Sequence, residues 1–336
     1  MVRYGQGAYI GLGEVSGYST DGVAADISTW YRTPDGADGL QMETDLIELE
    51  ALEAYDQDID TVSVGQKRIT GSITLKMTYG YAQNLLRWIT GHNVTVSGAG
   101  PYVYAFVPPE AGATSHYFLG TTVRHMVIEV FRGDTASNSV FYQGCIPSET
   151  QFKFEPNGLA EVTISIMGRG YTVGAKSTPV FKNDYMRTPT GQSATKFLTL
   201  GGTQYRCFSA TVTISDPKEH RYEVSDQEPG SHPAPSGFRE VTLDVDVEAP
   251  DTDTALMNLI SDPVANKFST GVLALADGAN QILTMNFDNL VAKPPVEARP
   301  SGVGVLKTTL NLKSYSNGGG VPALDISLTN GDAAYA

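Results

Sequence analysis

Histidine, cysteine, clustered carboxylates and glycine-rich loops are the raw material of catalytic, metal and phosphate sites, and this chain of 336 residues holds few of them in usable spacing. His92, His116, His125, His220 and His232 are scattered, with no HExxH or HxH arrangement to put two imidazoles on one ion or one substrate. Cys145 and Cys207 are too few for a disulfide framework and form no CxxC pair, so both read as buried thiols. Gly11-Leu12-Gly13-Glu14-Val15-Ser16-Gly17 has the look of a nucleotide loop, yet no βαβ unit surrounds it and no basic residue stands ready for a phosphate. Asp56-Gln57-Asp58-Ile59-Asp60 alternates carboxylates as a calcium loop does but lacks the Gly at the sixth position and the Glu at the twelfth, so it reads as a solvated turn. No nucleophile elbow or kinase motif occurs. The expectation is a chain with no catalytic residues, no cofactor and no metal.

Charge narrows the partners. Asp and Glu number 37 against 23 Lys and Arg, a net charge of −14, which argues against a protein that grips nucleic-acid phosphates. It does not exclude one that DNA must pass without sticking. The N-terminus has no apolar h-region and no run of 18 apolar residues occurs, so neither a signal peptide nor a membrane span is expected. In the cytosolic setting this implies, the Asn93-Val94-Thr95 sequon carries no glycan.

The elements that must position any site are mostly strands. Ile69, Gly71, Ile73, Leu75 and Met77 interleave with polar residues, as do Val162, Ile164 and Ile166, then Val241, Leu243, Val245 and Val247, then Leu310 and Leu312. Shorter strands are expected over 45–55, 101–107, 123–131, 139–143, 208–214, 219–224 and 280–286. Two helices are expected, one after Gly80 with Leu85, Leu86 and Ile89 on its stripe, the other after Asp251-Thr252-Asp253-Thr254 with Leu256, Leu259 and Ile260. Residues 69–90 lie over 239–260 at a constant offset of 170, near half the chain, so strand and helix recur together and point to a tandem duplication. Pro156-Asn157-Gly158 and Pro300-Ser301-Gly302 each lead into a later strand, at an offset of 144, so the first half holds about 26 extra residues, part of them in Pro108–Gly120. The expected organisation is a first domain over 1–170, a connector over 171–200 and a second domain over 201–336.

Two stretches carry a family resemblance. Gly5-Gln6-Gly7-Ala8-Tyr9-Ile10-Gly11-Leu12-Gly13-Glu14-Val15-Ser16-Gly17-Tyr18-Ser19-Thr20 resembles the opening of major tail tube proteins of long-tailed bacteriophages, where an aromatic-Ile/Leu-Gly segment is followed by a Glu and a Tyr/Gly/Thr turn. Gly65-Gln66-Lys67-Arg68-Ile69-Thr70-Gly71-Ser72-Ile73-Thr74-Leu75 is similar to that family's strand leading into a helix; the second half departs from it, with Val241-Thr242-Leu243 in place of Gly71-Ser72-Ile73. The resemblance implies a mainly β fold of two tandem tail-tube-type β-sandwich domains, each with one flanking α-helix. It implies a structural virion protein whose three copies form a pseudo-sixfold ring, the rings stacking into a hollow tube that conducts double-stranded DNA. It further implies assembly in the host cytoplasm, residence in the tail, and tape measure, tail terminator and baseplate proteins as partners.

If each domain gives four strands to an inner barrel, a ring has about 24 strands and a backbone diameter of roughly 48 Å, wide enough for a duplex. Acidic residues on the bore would repel phosphates. The polar alternates Asp244, Asp246 and Glu248, and then Glu48 and Glu50, are the candidates, with outer solvent or ring contacts to Lys or Arg as the other reading. Stacking contacts are expected from residues 14–44, 108–120 and 316–336. A two-domain β-sandwich that binds a receptor or carbohydrate, or a terminator or baseplate ring protein, is the alternative; a glycan binder would show clustered exposed aromatics, and Trp30 and Trp88 stand apart.

Overall fold

Alternating sequence becomes strand throughout the computed structural model, which describes residues 8–32, 39–49, 61–91, 94–106, 125–133, 138–188, 197–222, 229, 231–248, 267–278, 280–293, 297–300, 306–316 and 322–331. The first half runs β1 (Tyr9–Val15), a one-turn 3-10 helix at Ala24–Asp26, β2 (Thr29–Arg32), β3 (Gln41–Leu49), β4 (Thr61–Lys76) and α1 (Tyr79–Thr90). It continues through β5 (Thr95–Ser97), β6 (Tyr102–Phe106), β7 (His125–Phe131), β8 (Asn138–Phe154), β9 (Glu161–Gly168) and β10 (Gly170–Ala175). The second half comprises β11 (Leu198–Leu200), β12 (Thr203–Tyr205), β13 (Cys207–Ser215), β14 (Lys218–Arg221), β15 (Ser231–Pro235) and β16 (Glu240–Glu248). Then follow β17 (Phe268–Ala276), β18 (Ile282–Ala292), β19 (Glu297–Pro300), β20 (Leu306–Ser314) and β21 (Leu324–Asn330).

The fold is mainly β and antiparallel, built as layered sheets. One main sheet crosses both halves in the order β3-β4-β9-β8-β13-β16-β20, with β19 and the end of β18 on the far side of β20. Its apolar alternates Ile73, Leu75, Val162, Ile164, Phe152, Val212, Leu243, Val245, Leu310 and Leu312 are all buried in a single core that spans the two halves. Opposite them lie residues of the other layer: Ile10, Leu12 and Ile128 in the first half, Leu273, Met285 and Ile326 in the second.

Two strands turn the corner between layers. The start of β8 pairs with β7 and β10, and its end pairs with β9 and β13. Gly144, at φ 62, sits at the change, a conformation a Cβ would disfavour. β18 behaves alike: Ile282–Phe287 pairs with β21, Leu290–Ala292 turns to β20, and Asn289, at φ 38, sits between.

The strand pairing of the first half recurs in the second. β1–β2, β1–β7, β7–β8, β8–β10, β4–β9 and β3–β4 correspond to β11–β12, β11–β17, β17–β18, β18–β21, β16–β20 and the pairing of β13–β14 with β15–β16. The gap-free offset of 170 carries the start of β4 at Thr61 to the start of β15 at Ser231. Ile73 faces Ile164 as Leu243 faces Leu312, so β9 lies over β20 at an offset of 148. The Pro-Gly motifs give 144, whereas strand pairing gives 148.

Part of the extra length of the first half is the β5–β6 hairpin, whose β6 extends the second half's outer layer by pairing with β21. Pro108–Gly120 and the helix expected after Asp251 lie outside the described residues. Within the stretch 171–200, residues up to Ala175 are strand β10 and Leu198–Leu200 are β11. Residues 176–188 pack on the first half, where Ser177 joins a buried knot: Glu129 accepts hydrogen bonds from the Tyr9 hydroxyl at 2.9 Å, from the Ser177 amide at 2.9 Å and from its hydroxyl, while Trp30 Nε1 donates to Ser177 Oγ at 2.8 Å. The stretches 14–44 and 316–336, from which stacking contacts are expected, contain regular strands. β1, β2 and β21 are integral strands; in β21, Leu324, Ile326 and Leu328 alternate into the core.

Candidate functional site: the polar face of the main sheet

The face of the main sheet turned away from the core is polar across its width, because every apolar alternate is spent on the core. One row runs Thr74, Thr163, Gln151, Thr213, Thr242 and Lys313; the next runs Ser72, Ser165, Glu149, Ser215 and Glu240. A third runs Lys76, Glu161, Lys153, Thr211, Asp244 and Asn311. Short hydroxyl side chains dominate the centre, and Thr74 and Thr163 hydrogen-bond to one another at 3.0 Å between Oγ1 atoms. Longer charged side chains such as Lys76, Glu161, Lys153, Glu240 and Lys313 lie around that centre.

Asp244, Asp246 and Glu248 all lie on this face, half-buried along β16. Asp244 has its carboxyl pKa raised by burial, with the charge of Lys293 pulling the other way. Asp246 accepts from Ser209 Oγ at 3.0 Å and from Thr309 Oγ1 at 2.7 Å. Glu248 pairs with Arg206 at 3.2 Å. Glu48 belongs to β3 by its backbone, and Glu50 lies outside the described residues. Sequence reasoning found the acidic alternates and missed the cations interleaved with them: Lys76 pairs with Glu161, Lys153 with Glu155 at 2.7 Å, and Lys313 with Glu240 at 2.6 Å. Those lysines sit at the same period-two positions and were legible once the strands were set side by side.

At one end of this face each half extends a hairpin. The first is the outer part of β3–β4, where Arg68 Nε meets Glu43 at 2.8 Å and Thr70 Oγ1 donates to Glu43 at 2.6 Å. The second is β14–β15, tied down by Lys218, whose buried ammonium donates to the Pro147 carbonyl at 2.6 Å and to Asp216 at 2.6 Å. Through this tie the second hairpin leans across β8 toward the first half, bringing His220 and Tyr222 beside Arg68. Phe238, at the root of the second hairpin, is 94% exposed.

Chemistry of the catalytic kind finds little support. The thiols of Cys145 and half-buried Cys207 are both pushed up by burial, Cys207 to about 12, which disfavours a thiolate nucleophile. Among the described residues no cluster of His, Cys, Asp and Glu has the geometry of a metal site. Trp88 is buried and Trp30 is partly buried, so neither contributes to an exposed aromatic platform. Gly11 and Gly13 lie in strand β1 beneath the 3-10 turn, where a Cβ on Gly13 would stand 2.2 Å from the Asp26 carbonyl oxygen. No helix is long and apolar enough to cross a membrane among the described residues. Compared with known families, residues 5–300 match the model described as phage tail tube protein. No curated protein matches significantly.

Proposed function

The chain belongs to the phage tail tube protein family, and from that premise we propose that it is the major tail tube subunit, polymerising as stacked rings around a channel that conducts double-stranded DNA. It is a structural component of the virion tail. The observation that carries the channel reading is the uninterrupted sheet shared by both halves, with one face packed and the other lined by Ser, Thr and mostly paired charges. The first half supplies β3, β4, β9 and β8, and the second β13, β16, β20 and the edge shared by β19 and the end of β18, four positions each. Three chains therefore close about 24 strands into a barrel of roughly 48 Å backbone diameter, leaving a bore somewhat under ~40 Å.

On this reading the polar face lines the bore. Asp244, Asp246 and Glu248 then sit where DNA phosphates pass, and among the described residues of this face Lys76, Lys153 and Lys313 are each paired with a carboxylate. Tape measure, terminator and baseplate proteins are the partners, and the tube assembles in the host cytoplasm. Negative-stain electron microscopy of the purified protein at high concentration tests the proposal. Regular hollow tubes are expected; a protein that stays monomeric and binds glycans instead would overturn it.

A further inference from the structure

Inside one chain the two halves are joined edge to edge, and the same edges recur, open, at the two ends of the sheet. In the internal seam, β13 pairs with the end of β8, with Ile214 opposite Thr150 and Ser215 opposite Glu149. The Asp216 amide donates to the Ser148 carbonyl at 2.8 Å, so by antiparallel alternation Ile214 and Thr150 exchange backbone hydrogen bonds while Ser215 and Glu149 form the closer, non-bonded pair.

Each seam residue has a counterpart. Ser215 faces Glu240 as Gln41 faces Thr70, and the offset of 170 takes Thr70 to Glu240, so Gln41 corresponds to Ser215 and Leu40 to Ile214. Thr150 faces Ile164 as Ala292 faces Leu312, so Ala292 corresponds to Thr150 and Val291 to Glu149. Burial agrees: Leu40 is 5% exposed and Ala292 3%, against 3% for Ile214 and 2% for Thr150.

Both counterparts turn their peptide groups away from the strand they already pair with, and the Leu40 carbonyl also accepts a hydrogen bond from the Tyr142 hydroxyl at 3.1 Å. The Gly39 amide donates to Ser72 at 2.8 Å, so the peptide groups of Leu40 face away from β4. The Lys293 amide donates to Asn311 at 2.7 Å, so those of Ala292 face away from β20. No strand among the described residues pairs with either side there. An open edge of this kind invites another strand.

We propose that a second copy of the chain closes this edge: Leu40 of one copy pairs with Ala292 of the next, and Gln41 with Val291, repeating the internal seam in register. The proposal rests on the ring reading above and specifies its contact. A second observation agrees with it. Offset 170 sets Phe238 where Arg68 stands, and Arg68 is the residue against which the second half's hairpin leans. In the ring, the first hairpin of the neighbouring copy leans on Phe238 and covers its 94% exposed ring.

Non-bonded antiparallel pairs hold their Cα atoms about 4.5 Å apart, within reach of a disulfide. A chain with Gln41→Cys and Val291→Cys, in a Cys207→Ser background, is assembled and oxidised with diamide, each pair of thiols giving up two protons and two electrons to the diazene. The expected product on a non-reducing gel is a covalent trimer. Ser215→Cys with Glu149→Cys serves as the internal standard and links within one chain. If parent tubes form and the standard links while the Gln41/Val291 pair does not, the seam is wrong and the ring reading stands. If the parent chain forms neither rings nor tubes, the ring reading falls and takes the seam with it. Hydrogen exchange on the unmodified protein gives a measurement independent of cysteine: the amides of Leu40 and Ala292 are expected to gain at least tenfold protection on assembly, and no gain overturns the seam.

Discussion

Gly71 shows how a single residue serves the sheet. Its φ is 127, and a Cβ there would lie 2.1 Å from the Gly39 carbonyl oxygen, so the position needs glycine on two counts. Gly71→Ala is expected to destabilise the protein by about 2 kcal/mol or more in urea unfolding. His220 supplies a pH dependence. Burial first, and then the charge of Arg68, lower its pKa from 6.5 to about 4. The unfolded imidazole takes its proton near pH 6.5 and the folded one only near pH 4, so the unfolded state binds more protons between those values. Stability is therefore full above pH 6.5 and declines as pH falls toward 4. His220→Gln should flatten the melting temperature over that window; a slope equal to that of the parent would assign the dependence elsewhere.

At the scale of elements, α1 is capped from a distance. Thr78 makes no side-chain cap, and instead the Gly80 amide donates to Asp184 Oδ2 at 2.6 Å and the Tyr79 amide to the Asp184 carbonyl at 3.0 Å. Asp184→Ala is expected to cost about 1 kcal/mol, read as a lower melting temperature. This cap, like the corner in β8, was hidden from sequence reading. Periodicity reveals an element with one wet face, which is why β4, β9, β16, β20 and α1 were legible. Where both faces are covered the alternation is lost: β7 is buried at every position and β8 from Val140 through Pro147 almost continuously so, and there the sequence yields only short apolar strands, expected over 123–131 and 139–143, without the full extent of β8. The acidic residues of the polar face were legible for the same reason as β16 itself. The open edges were not, because what pairs across a sheet is set by topology and leaves no local trace in either strand.

For the molecule as a whole, the sign of the charge on the polar face is the testable property. Asp244→Lys with Asp246→Lys should leave folding intact, since both side chains are half-buried on the wet face, yet should make assembled tubes retain short duplex DNA at low salt. Retention that vanishes with rising salt in the variant, and is absent in the parent, is the expected pattern; DNA binding equal in both would remove these residues from the channel wall. Phe238→Ser addresses the proposed contact between copies in the same assembly. It is expected to raise the concentration needed for tube formation severalfold while leaving the melting temperature of the monomer unchanged, because the ring makes few contacts within its own chain.

The β8–β13 seam also has a kinetic meaning. A ring built from six separate domains must gather six bodies from solution, and its formation falls off steeply with dilution. In the proposed ring of three chains, half of the seams exist before any encounter, held at the high effective concentration that a shared chain provides, so closure would need three bodies. A duplicated subunit therefore nucleates at lower abundance, and it frees the two kinds of seam to be tuned apart: the covalent one for rigidity, the other for reversible, correctable joining.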